Sequence, residues 1–128
     1  MRIRLLDLSL AVFLLGGAAA CGEEAGAPTG SVCPPAGSDL TYENFGSGFM
    51  AAYCTDCHGA ARVGADRQDA PVGLDFDTVA EIRAEADEID AKAAAGPDAT
   101  NEIMPPVPEA PTMAERMQLG EWLACGAP

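Results

Sequence analysis

The sequence predicts a small all-α domain with long loops, and three observations predict it. Three runs carry apolar residues at helical spacing, and each follows a threonine able to cap it: Thr41, Thr78 and Thr112. No run alternates at period two, so a sheet is not expected. Past the leading segment, residues 21–128 make 108 residues, the size of one domain.

The elements follow in chain order. Residues 1–20 read as a secretory signal peptide: Arg2 and Arg4 form a basic start, Leu8, Leu10 and Ala11–Leu15 an apolar stretch, and Gly16–Ala20 are small. Such a run is too short to span a bilayer stably with these flanks. Cys21 follows at once, and the stretch resembles the lipobox of bacterial lipoproteins, though Ala18 stands where leucine is usual. The resemblance implies export to the periplasmic side, with Cys21 lipidated as the first mature residue. The other reading is an ordinary signal cut at the A-x-A site before Cys21. Gly22, where aspartate often signals inner-membrane retention, implies an anchor in the outer membrane. Residues 21–35, rich in Gly, Pro, Ala and Glu, read as a flexible tether.

Residues 36–128 form the folded body. About 90 residues is a marginal size for an unassisted core. Cysteines offer help. Cys21 is the lipid candidate, and Cys54 and Cys57 share the run CTDCH, which leaves Cys33 and Cys125 at the two ends. In an oxidising compartment that pair is expected as a disulfide. Closing so long a loop constrains the unfolded chain by about 4–5 kcal/mol in the entropy model. The alternative is two free or intermolecular thiols.

The first helix is expected from about Tyr42 to Tyr53, with Tyr42, Phe45, Phe49 and Ala52 on one face. Gly46 and Gly48 lie inside it, each costing about 1 kcal/mol against alanine. The second runs from about Val79 to Ala95, with a Thr78/Glu81 capping box and a Gly96-Pro97 stop. Its stripe is Val79, Ile82, Ala86, Ile89 and Ala93. The third runs from about Met113 to Ala124, with a Thr112/Glu115 box and Gly126 as its stop. Met113, Met117, Gly120 and Ala124 share a stripe, read as core, with Leu119, Trp122 and Leu123 beside it. Between these helices, Ala60–Asp77 and Asp98–Pro111 are long loops. Loops this long in a small body usually have a reason, and a large buried cofactor is one.

Removing Arg2, Arg4 and Asp7 from 7 basic and 20 acidic residues leaves 5 and 19, a mature net charge of −14. A phosphate backbone would be repelled, so no nucleic-acid partner is expected. A cationic docking face on a protein partner would be attracted. Solubility alone is the plainer account of the charge.

CTDCH carries the chemistry. A thioredoxin-like dithiol belongs near a strand–helix unit, and none is in sight. Structural zinc needs four ligands, for which isolated Cys33 and Cys125 would have to join Cys54 and Cys57. The third chemistry is c-type haem attachment, the pattern C-x-x-C-H. Two thiols at this spacing can each form a thioether with one haem vinyl group. His58, the only histidine, is then held beneath the iron.

The motif after a helix, the pair Met104-Pro105 and the last helix with its Gly and aromatic residues resemble class I c-type cytochromes. The resemblance covers about residues 33–128. It implies a cytochrome c-like fold, with three main helices and long loops around one covalent haem c. Cys54 and Cys57 would be the attachment residues, and His58 and Met104 the axial iron ligands. Met50 is read as packed in its helix. The resemblance also implies that the first and last helices cross at small residues, Gly46 or Gly48 meeting Gly120. The second ring nitrogen of His58 would donate to a backbone carbonyl, and Pro71 is the matching position. Leu74, Phe76, Val79 and Ile82 would wall the haem. Trp122 reads as helix-packing core, and Arg62 and Arg67 as solvated loop residues, with a haem propionate as their other possible partner.

The implied function is a one-electron carrier between redox proteins, membrane-tethered and not an enzyme. With both axial positions filled the iron has no open site. The alternative, a haem-based sensor or peroxidase-like protein, requires that Met104 leave the iron. A structural protein with zinc or a dithiol at CTDCH would be colourless.

Overall fold

Thr41 starts the first helical element. Its hydroxyl accepts from the Asn44 amide at 3.2 Å, and the Asn44 side chain accepts from the Thr41 amide at 2.8 Å, a reciprocal cap. The computed structural model describes residues 26–128. The expected signal peptide and Cys21 lie outside the described residues. Tyr42–Gly46 form one wide π-turn that runs into helix α1, Ser47–Tyr53. A short 3₁₀ turn spans Gly64–Arg67. Then come α2, Val79–Ala84; α3, Ala86–Ala93; and α4, Met113–Ala124. The described residues hold no strand, only a single bridge between Ala95 and Thr100. The body is all-α, as expected.

The expected second helix is two helices. At Glu85 the backbone turns to φ −111°, ψ 16°. Its N–H is shared between the Glu81 and Ile82 carbonyls, both at 3.2 Å. Glu81, Glu85 and Glu88 stand at i, i+4 and i+3 spacing, where like charges weaken a helix. Ile82 and Ile89 are nonetheless both buried. α3 ends at Ala93, before the expected stop, because Ala94 and Ala95 turn extended. The Ala95 N–H reaches the Arg116 carbonyl at 3.0 Å, and the Asn101 N–H returns to the Ala94 carbonyl at 2.9 Å.

α4 has the expected bounds but a different buried face. Arg116, Leu119, Gly120, Trp122 and Leu123 are buried, while Met113 and Met117 are about half exposed, at 50% and 56%. Of the stripe read as core, Met113, Met117 and Ala124 therefore face out and only Gly120 is buried. A buried arginine at the head of the true stripe hides it from a hydrophobicity pattern. The helix ends in a Schellman turn: the Gly126 N–H reaches the Leu123 carbonyl and the Ala127 N–H that of Trp122. Gly126 has φ +84°, the left-handed conformation this turn requires.

Trp122 joins α4 to the π-turn that leads into α1. It is fully buried and meets Phe45 edge-on at 5.9 Å. A Cβ on Gly46 would lie 2.4 Å from its ring, whereas one on Gly48 would meet nothing. Gly46 is thus the small residue of the crossing. Gly120 is not its counterpart: a Cβ there would meet the Ser31 hydroxyl at 2.5 Å and the Ala95 carbonyl at 2.7 Å.

Ser31 belongs to a strap, residues 26–33, inside the stretch expected as a tether. Here it lies on the body. Thr29 is buried, and both its N–H and hydroxyl donate to the Asp90 carboxylate, at 2.8 and 2.6 Å. The Asn101 side chain exchanges two bonds with Ala27. The strap ends at the expected disulfide, Cys33–Cys125, with Cα atoms 4.7 Å apart.

Substitution separates the two helical glycines. Gly46→Ala should lose about 1–3 kcal/mol by overpacking the Trp122 ring. Gly48→Ala should gain about 0.5–1 kcal/mol of helix propensity. Denaturant unfolding of both variants checks this; equal effects would mean that Trp122 does not set the crossing.

Candidate functional site

α1 ends at the site. Cys54 caps it, its N–H reaching the Met50 carbonyl at 2.9 Å. The Cys54 carbonyl then accepts from both Cys57, at 3.1 Å, and His58, at 2.8 Å. One turn therefore carries both thiols and the imidazole. Gly59 closes it, since a Cβ there would lie 2.6 Å from the Thr55 carbonyl. Neither thiol is in a disulfide. Burial, then the proximity of Cys57, pushes the Cys54 thiol up to about 12. A redox dithiol needs the opposite, a nucleophile with lowered pKa.

The His58 ring is fixed from two sides. Nδ1 lies 3.0 Å from the Leu74 carbonyl, and Phe76 stacks on the ring at 4.8 Å and 24°. A carbonyl can only accept, so Nδ1 is the donor, and in the neutral ring Nε2 is then the nitrogen that carries the lone pair. The Phe76 N–H returns to the His58 carbonyl at 2.8 Å. The expected acceptor was Pro71. Its carbonyl is engaged elsewhere, by Arg67 Nη2 at 2.6 Å and the Leu74 N–H at 3.2 Å. Gly73, at φ +86°, makes the tight turn that brings the Leu74 carbonyl round to the histidine instead.

Arg67 is not the solvated loop residue expected. It is buried at 4% exposure, and its guanidinium donates to the carbonyls of Gly59, Arg62, Ala70, Pro71 and Leu74 and to Asp75. Arg62 pairs with Asp56 at 2.5 Å in the open, an exposed pair of small worth. A sequence signal for Arg67 does exist. The loop from residue 59 to 77 has little regular structure for its carbonyls, and only two arginines stand in it.

Met104 lies on the other long loop, its side chain 37% exposed. Its main chain is pinned at both ends. The N–H reaches the Lys92 carbonyl at 2.9 Å, and the carbonyl accepts from Arg116 Nη1 at 2.9 Å. Arg116, 2% exposed, also holds the Ala93 and Asn101 carbonyls, at 2.6 and 2.8 Å. The polar contacts of Met104 run to Lys92 and Arg116, and none joins it to the CTDCH turn. Met50, by contrast, is buried as expected. Of the expected wall residues, Phe76 and Ile82 are buried, and Leu74 packs against the core.

Four-sulfur zinc ligation is closed off, because Cys33 and Cys125 bond to each other. Among the described residues no three His, Cys, Asp or Glu side chains converge as a metal cage. No helix among them is long and apolar enough to cross a membrane. Two shallow clefts lie elsewhere: one between the strap, α3 and α4, the other between α1 and α4 beside Glu115. Compared with known proteins, the chain matches no family model, no curated protein and no solved structure.

Replacing Arg116 with methionine should leave three carbonyls unpartnered, with a loss of about 2–3 kcal/mol. Hydrogen exchange at the Met104 amide should accelerate with it. Unchanged exchange there would mean that the loop is held by something else.

Proposed function

We propose that this chain is a class I c-type cytochrome, a one-electron carrier exported to the periplasmic side and anchored there through Cys21. Cys54 and Cys57 would hold the haem as thioethers, and His58 and Met104 would occupy the axial positions. The observation that carries this reading is the Nδ1–Leu74 bond. It fixes the only imidazole with Nε2 available, one turn from two unpaired thiols. The donor set fits the group in a second way. The thiols need not converge on a metal with the imidazole, since they would bond vinyl carbons. Both long loops also expose large apolar side chains, Val63 and Val72 on one, Met104 and Val107 on the other, suited to covering an apolar macrocycle.

When bound, haem supplies a ferric/ferrous couple, and a thioether ligand raises its potential. The rest of the reading concerns this chain's own residues. His58 is oriented by Leu74 and Phe76, so it needs little reorganisation between oxidation states. Arg116 and Lys92 pin the main chain of Met104. The strongly acidic surface favours redox partners with a cationic docking face, which would associate faster at low salt. The second reading, a sensor or peroxidase-like protein, is favoured by one observation: the Met104 side chain is more than a third exposed rather than packed.

A visible spectrum with and without carbon monoxide, on protein exported from a host able to attach haem, separates them. The carrier predicts sharp c-type bands, a far-red ferric band from sulfur ligation, and no response to carbon monoxide. Met104→Ala should abolish the far-red band, lower the midpoint potential and admit carbon monoxide. Carbon monoxide binding by the unaltered protein would transfer the assignment to the sensor or enzyme. A colourless protein would end both.

A further inference from the structure

The Leu74 carbonyl serves two donors. His58 Nδ1 approaches it at 3.0 Å and Arg67 Nη2 at 3.1 Å. A carbonyl oxygen has two lone pairs, and both are engaged here. The guanidinium is the stronger donor, because its hydrogen bonds are charge-assisted. It draws electron density from the oxygen and leaves less for the imidazole N–H. The strength of that N–H bond in turn sets how basic the ligating nitrogen is.

We infer that Arg67 is a positioning residue for His58: by sharing the Leu74 carbonyl it weakens the Nδ1–H hydrogen bond, makes Nε2 a poorer donor, and so favours the reduced state. This rests on the cytochrome reading above. Three features make the guanidinium suited to the role. It cannot swing away, because Ala70, Pro71 and Gly59 hold its other donors. Its charge is largely compensated, because Asp75 accepts from Nη1 at 2.8 Å and is itself mostly shielded from solvent. What reaches His58 is therefore mainly polarisation of one carbonyl rather than a bare positive charge. Finally, Arg67 is buried, so water does not compete for the same oxygen from its side.

A role limited to holding the loop predicts the opposite sign. If Arg67 merely clamped residues 59–75, its loss would free the Leu74 carbonyl to drift. The histidine bond would lengthen, and the potential would rise. If it shares the carbonyl, a weaker donor in its place strengthens the histidine bond, and the potential falls.

The test is the double variant Arg67→Gln/Asp75→Asn, which replaces an ion pair by a neutral pair at constant net charge and keeps an amide donor in reach. It is made on the haem-loaded protein, with redox titration and proton NMR of the ferrous form as readouts. The expected result is a lower midpoint, roughly threefold more ferric protein at a fixed ambient potential, where tenfold corresponds to about 59 mV for one electron. The Nδ1–H resonance should move downfield, and the far-red band should persist. A raised or unchanged midpoint, with a resonance that moves upfield or not at all, would reduce Arg67 to a loop clamp. Asp75→Asn alone, which keeps Arg67 and its carbonyls, covers the case of a misfolded double variant. It should shift the resonance upfield and raise the midpoint, and an unmoved resonance would overturn the inference. An unaltered protein without c-type bands would overturn the reading beneath it, a separate and visible outcome.

Discussion

Five carbonyl oxygens between residues 59 and 74 turn toward the Arg67 guanidinium, which donates to each of them. A buried carbonyl without a partner is costly, so a long loop folds inward only where a donor waits. Arg116 does the same for the second loop, gathering the Ala93, Asn101 and Met104 carbonyls. A lysine would serve poorly, since its ammonium is compact while the guanidinium presents five donors in a fixed fork. The acceptor of His58 and the main chain of Met104 are both set by these two residues. Leu74 stands on one long loop and Met104 on the other, and an arginine stands behind each.

The helices alone would hold little. None but α4 exceeds eight residues, and isolated helices of that length are marginal in water. Reciprocal caps at Thr41, Thr78 and Thr112 satisfy first-turn amides. At Glu115 these bonds, with that from Tyr53, hold the carboxyl below its usual range. Its contribution is therefore present above the unfolded value and is lost as pH falls through the lower folded one. The strap adds a second layer. It lies across the junction of α3 and α4, bonded through Asp90 and Asn101, and the disulfide fixes its far end. Closure there needs Gly96 and Gly120, where any side chain would collide with Thr29 or Ser31.

What the sequence discloses is what local chemistry decides. The bounds of α4 are legible because a capping box and a glycine stop mark its ends. The Cys33–Cys125 pair is legible by elimination, and the all-α class by the absence of alternation. What it conceals depends on partners far along the chain. Arg116 counts as polar in any pattern, yet it heads the buried face, so Met113 and Met117 read as core when they are exposed. Gly120 looks like a helix-crossing residue, but its neighbour is a strap some ninety positions earlier. The shift from Pro71 to Leu74 depends on where the Gly73 turn sets the loop against His58, with Arg67 donating to both carbonyls. The break at Glu85 has no cap signal, only three like charges.

The chemistry open to CTDCH is narrowed by the groups already committed around it. Cys33 and Cys125 are joined, so they cannot complete a zinc site. The Nδ1 proton of His58 is held by Leu74, so the ring can offer only Nε2. Met50 is packed into the core. A high thiol pKa at Cys54 makes the pair poor as an exchanging dithiol, but it is no obstacle to a thioether, whose sulfur no longer titrates. What remains uncommitted is two thiols on one turn, one imidazole nitrogen, and a thioether on a loop pinned by its own backbone. A redox dithiol would have no use for the locked imidazole, and a zinc site would need more ligands than converge. A covalently attached haem would use each of the four groups, and it would give the apolar side chains of both loops something to cover.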